Sequence, residues 1–171
     1  MAKKALLGYM AMEVVNPPRG VKWGAVNNRP LDAASVEKLV KRYESDLSNC
    51  HETTAMWGAV KKRWVKNIDK LKDDLTGLDI DKLPLLELTT EGEKEIRPDN
   101  LWMFSGNHRR AALVKFVDNR KKKLEERMEQ TPMDTAFEKK ETQDIDMNSR
   151  WAVKLYDRGE CTLASVDERL W

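Results

Sequence analysis

Four consecutive apolar residues, Leu101-Trp102-Met103-Phe104, run straight into Ser105-Gly106-Asn107 and then into a helical period that starts at His108. An apolar run this short suits a strand buried on both faces, and Gly106 supplies the break from which a helix can start at once. Strand and helix are thus both expected in this chain. The chain has 171 residues, 40% of them hydrophobic, with 6 Trp and 8 Met, which is material for one core. A single domain over residues 1–171 is expected.

The remaining elements follow from local signals. Residues 8–26 mix β-branched and aromatic side chains with Pro17-Pro18 and Gly20, a pattern for one or two short strands around a turn. Asp32 is a good N-cap, and Val36, Leu39, Val40, Tyr43 and Leu47 follow on one helical face. Trp57, Val60, Trp64, Ile68, Leu71 and Leu75 repeat at three/four spacing, which predicts a helical insertion over about 53–76 closed by Gly77. Core packing is the expected role of Trp57 and Trp64, with base stacking as the rival. Pro84 to Leu88 is expected as a strand and 89–100 as a loop or hairpin tip. The helix from His108 should run to about Gln130, its polar end projecting into solvent. Thr131 to Asn148 is expected as a surface insertion or poorly ordered loop, so that about 119–149 forms a charged helix/loop insertion. Trp151 to Tyr156 alternates like a strand, and a last helix is expected over 163–170.

Charge excludes several functions. Lys+Arg number 31 and Asp+Glu 29, a net charge of +2, which argues against a polybasic nucleic-acid coat. The acidic pairs, such as Asp73-Asp74 and Glu125-Glu126, are expected as solvated faces. No run of about 18 apolar residues marks a membrane span. The two cysteines, Cys50 and Cys161, lie far apart and outside any C-x-x-C spacing, which suits an intracellular compartment, cytoplasmic or nuclear. With His51 and His108 the only histidines and no clustered Cys/His, a zinc site is not expected. The glycine-rich loops G-x-x-x-x-G-K-[ST] and G-x-G-x-x-G are both absent.

The chemistry is expected at Gly106-Asn107-His108-Arg109-Arg110. The first amides of a helix are unpaired and its dipole is positive there, so three further donors on that turn point to an anionic partner. Gly106 permits close backbone approach, and an arginine fork matches phosphate. The plainer alternative, arginines that are exposed or paired with nearby acids, stays open on spacing alone.

The strand–Gly–x–His–Arg–x–x–Ala pattern resembles the signature of the ParB/sulfiredoxin superfamily. Sulfiredoxins carry Phe-Gly-Gly-Cys-His-Arg at this place and ParB proteins carry Gly-Glu-Arg-Arg. Arg29-Pro30-Leu31 before the Asp32 helix, Leu85–Leu88 and Trp151–Tyr156 look like further parts of that domain. The likeness touches much of residues 10–157, apart from the two expected insertions. It implies a small α/β (α+β) domain, a small mixed sheet packed with helices, that binds the phosphates of a nucleoside triphosphate, ATP or CTP with Mg²⁺, through Gly106, Asn107, His108, Arg109 and Arg110, with Arg29 on the opposite wall. Nucleotide hydrolysis or phosphotransfer is the turnover it allows. Two departures bear on this. Asn107 stands where sulfiredoxins have the catalytic cysteine, so sulfinic-acid reduction is not expected. It also replaces the ParB glutamate, and an amide is a weaker ligand for a hard cation. The alternatives are an interaction module that keeps the fold without turnover, and nucleic-acid binding through Arg109, Arg110, Arg120 and Lys121 to Lys123.

Overall fold

A computed structural model describes residues 5–24, 30–89, 100–130 and 135–159. Among these, five strands form one mixed sheet: β1 (Leu6–Glu13), β2 (Val21–Trp23), β3 (Met56–Val60), β4 (Leu101–Met103) and β5 (Arg150–Asp157). Their order is β1-β5-β3-β4-β2. β1 pairs antiparallel with β5 and β3 antiparallel with β4, whereas β3–β5 and β2–β4 are parallel. Among the described residues three α-helices accompany the sheet: α1 (Ala33–Ser45), α2 (Asn107–Gln130) and α3 (Thr135–Asn148). The expected class, α/β (α+β) with a small mixed sheet and packed helices, is the one observed.

Alternation along the strands separates two faces. Met10, Met12, Met56, Val60, Leu101, Met103, Trp151, Val153 and Leu155 join one cluster with Val40 and Tyr43 of α1 and Ala112, Leu113, Phe116 and Val117 of α2. Tyr9, Ala11 and Ala152 point the other way and are covered by Leu75 and Leu83. That cover is stitched to β1 by backbone bonds: Tyr9 N to Lys72 O at 2.8 Å, Lys72 N to Tyr9 O at 3.1 Å and Ala11 N to Pro84 O at 3.0 Å. Both ends of β1's neighbourhood are thereby closed without a second sheet.

α1 begins where its cap predicts. The Asp32 carboxylate accepts from Ala34 N at 3.3 Å and Ser35 N at 2.9 Å. α2 runs 24 residues, its first half buried and its residues beyond Arg120 exposed apart from Leu124, as its charge pattern predicts.

Three expectations are corrected. The helix over 53–76 is not formed: Met56–Val60 is strand β3, held between β5 and β4, and short 3₁₀ turns follow at Lys62–Trp64 and Ile68–Lys70. Trp, Val and Gly are poor helix formers, and Gly58 lies so close to β4 that a Cβ there would meet Met103 Sδ at 2.8 Å. Trp64 does pack on the main core, while Trp57 lies on the other face, 6.2 Å from the Tyr156 ring. Pro84–Leu88 makes only isolated bridges, Ala11 with Leu85 and Val65 with Leu88, instead of a strand. Finally, 135–148 is helix α3, with Ile145 buried, where a surface loop was expected. Its run of Ala136, Glu138, Lys139, Lys140 and Glu141 consists of strong helix formers; high charge there reflects an exposed helix. Arg29, the expected hairpin tip at 90–99, Cys161 and the expected last helix at 163–170 lie outside the described residues.

Candidate anion site at the start of α2

Strand β4 delivers the chain to the site. Phe104 N donates to Trp57 O at 2.9 Å, and Ser105 Oγ accepts from Trp57 N at 3.0 Å, so β3 anchors both sides of the turn. Gly106 has φ +102°, in the region that favours glycine, and its Cα faces Met56, where an added Cβ would lie 2.8 Å from the sulfur. Arg110 N then donates to Gly106 O at 2.7 Å, closing the first helical turn. Among the described residues the amides of Asn107, His108 and Arg109 meet no acceptor, as expected for the first residues of a helix.

The sequence-predicted residues do not all face one ligand. His108 Nε2 accepts a hydrogen bond from the backbone N of Asp32 at 3.0 Å, across 76 positions of sequence. That bond requires a lone pair on Nε2, which leaves the ring proton on Nδ1. It also sets the start of α1 against the start of α2. Arg109 turns inward: its Nη1 donates to Thr54 O at 2.8 Å. The same carbonyl accepts Trp151 Nε1 at 2.8 Å, tying α2 and β5 to the segment before β3. Arg110 lies over the Trp23 ring at 5.1 Å, and its Nε and Trp23 Nε1 are both buried without a partner. Arg29 lies outside the described residues, so the opposite wall is not defined.

Charge at this corner is mixed. The hydroxyl and amide of Ser35, with the amide of Ala34, hold the Asp32 carboxyl below the usual aspartate range. An anion thus finds open donors on α2, since α1 already has its own carboxylate cap. The sign of the pH effect follows. A carboxyl whose folded pKa is depressed adds stability above its unfolded pKa and loses it as pH falls through the folded one. In urea unfolding, the midpoint gap between the native chain and Asp32→Ala should hold constant above about pH 5 and shrink below about pH 4. A gap unchanged down to about pH 2 would show that the cap bonds do not depend on ionisation.

Nearby groups limit the chemistry. Cys50 packs on the far face of the sheet beside Leu78 and Ile80. Burial, then Asp79 and Asp81, pushes its thiol up, away from a reactive thiolate. Among the described residues no group of three or more His, Cys, Asp or Glu could hold a metal ion. Tyr43, whose hydroxyl is buried without a partner, is pushed up to about 12 by burial, offset in part by Arg109 and Arg42.

The cations further along α2 form no continuous basic stripe. Arg120 pairs with Glu141 at 3.4 Å, Lys122 with Glu126 at 3.9 Å and Lys123 with Glu44 at 3.9 Å. Ten residues of helix also put Arg120 about 15 Å from Arg110. Sequence reasoning identified the glycine turn and its cations but missed Asp32, Thr54, Trp23 and Trp151 as their partners. Only the Asp32 cap carried a local signal. No described helix is long and apolar enough to cross a membrane. Comparison with protein-family models, curated proteins and solved structures finds no match to this chain.

Proposed function

We propose that this chain is a phosphate-binding domain that takes a nucleoside triphosphate, ATP or CTP with its Mg²⁺, at the start of α2. The observation that carries the proposal is the group of donors without acceptors on this turn: the amides of Asn107, His108 and Arg109 and, one residue on, the buried Nε of Arg110, which lies over the Trp23 ring. An anion seated on these amides would gain both hydrogen bonds and the field of a 24-residue helix. The resemblance of Gly106-Asn107-His108-Arg109 to the ParB/sulfiredoxin signature supports a nucleotide in particular. His108 acts by holding the two helix starts together, and Arg109 by fixing the turn through Thr54. Asn107 brings no nucleophile and no anionic metal ligand, so binding without turnover is the form this site favours.

Calorimetry with ATP and CTP in Mg²⁺ tests the proposal. Saturable binding is expected, weakened about tenfold in Arg110→Gln, on the scale of one charge-assisted hydrogen bond. Absence of heat with either nucleotide and with inorganic phosphate would overturn it. Phosphate release from the bound nucleotide would show that the site turns over.

A further inference from the structure

The face of the sheet turned away from α1 and α2 carries a surface of its own. Residues paired across neighbouring strands point to the same side. The register therefore sets Tyr156, Ala59, Trp102 and Lys22 in one row over β5, β3, β4 and β2, with Lys154 and Trp57 paired in the next row. Leu75 and Leu83 cover this face only toward β1, over Tyr9, Ala11 and Ala152. Beyond that cover, Trp57, Trp102 and Tyr156 are half-buried and join neither core cluster of the described residues. Large apolar side chains scattered singly need no explanation, but three aromatic rings grouped on one sheet face mark an interaction surface.

Cations among the rings decide the kind of partner. The Arg158 guanidinium lies 3.3 Å over the Trp102 ring, and Lys154 Nζ stands 5.9 Å from the centre of Trp57. Glu52, the acid beside Lys154, is engaged by that lysine and by the Tyr9 hydroxyl. β3 ends at Val60, whose carbonyl accepts from Arg158 N at 3.0 Å, and the chain continues into Lys61-Lys62-Arg63. None of these three meets a carboxylate among the described residues. Flat rings bordered by uncompensated cations match a chain of unpaired bases linked by phosphates. Bases stack on aromatic rings and on guanidinium planes, and the linking phosphates meet the cations. We infer that the β5–β3–β4 face binds single-stranded nucleic acid, with bases on Trp57, Tyr156 and the Arg158–Trp102 stack and the backbone passing Lys61 to Arg63. A net charge of +2 is compatible with this, because only a few local phosphate contacts are involved.

The test uses the whole chain and a labelled strand of about twelve thymidines with a 5′-hydroxyl, within the site sizes of single-strand folds. Fluorescence anisotropy should show saturable binding, at least about fivefold tighter than to an abasic strand of equal length, the lower end for one stacked base. Trp57→Leu and Tyr156→Leu should each weaken binding at least about fivefold with unchanged circular dichroism. The logarithm of affinity should fall with the logarithm of salt at a slope of about −2, from three phosphates at about 0.7 each. Lys62→Gln with Arg63→Gln should bring that slope to about −0.7. Arg110→Gln, at the start of α2, should leave binding of the strand unchanged. No saturable binding, equal affinity for the abasic strand, or native affinity in both ring variants would each overturn the inference. Loss of binding in Arg110→Gln would place the strand at the phosphate site and overturn it as well. A chain that binds no strand and sediments as a dimer dissociated by Trp57→Leu would assign the face to a second copy instead.

Discussion

Trp151→Ala should cost about 3–5 kcal/mol of stability, the range of a large aromatic deleted from a packed core. Trp151 is 1% exposed and is the largest fully buried side chain of the described core. Its ring lies 5.4 Å from that of Tyr43, and its Nε1 donates to Thr54 O. The alanine leaves a cavity between α1 and β5. It also removes one of the two donors on a carbonyl that Arg109 shares, so the start of α2 loses part of its support. Trp151→Phe separates the effects: it keeps most of the apolar contact and gives up the indole hydrogen bond, worth about 1 kcal/mol. Urea unfolding followed by circular dichroism measures both. A loss under about 1 kcal/mol in the alanine variant, with an unchanged denaturant slope, would mean that the site collapses freely around the gap.

Gly106→Ala should be strongly destabilising for a change of a single methyl group. At φ +102° an L-residue is strained whatever its surroundings, by about 1–3 kcal/mol. The added Cβ also meets Met56 at 2.8 Å from Sδ and 3.0 Å from Cγ, and Met56 is fully buried with little room to move. Gly77→Ala is the matched control. Gly77 has φ +67° and nothing near its Cα, so it reports the cost of backbone conformation alone, about 1 kcal/mol. Gly106→Ala should exceed it by at least about 1 kcal/mol in thermal or urea unfolding. Equal losses at the two positions would show that Met56 yields without cost. If phosphate binds at this turn, the same variant should also lose nucleotide affinity, because the backbone would be pushed away from the ligand.

The sequence by itself determined the elements whose signals lie within a turn or two of chain. The Asp32 cap and the three/four period of Val36 to Tyr43 define α1, and the break at Gly106 defines where α2 starts. Alternation from Trp151 to Tyr156 marks β5. In each case the information is local: a cap bonds amides two and three residues ahead, and a period repeats within one face. Tertiary structure alone decided that Met56–Val60 is a strand. Its apolar residues fit a helix period equally well, and β5 and β4, which supply its hydrogen bonds, lie more than 90 and 40 residues away. The helix formers of 135–148 were a local signal too, whereas tertiary structure alone decided that this helix packs on α2 and β5 with Ile145 buried. Within the site, the cations of residues 108–110 were legible because they adjoin a glycine turn. Their partners were not: Asp32 N for His108 and Thr54 O for Arg109 are backbone groups, common to every residue and without any mark in side-chain chemistry. Packing chose them, by bringing two helix starts and the end of a loop to one corner of the sheet.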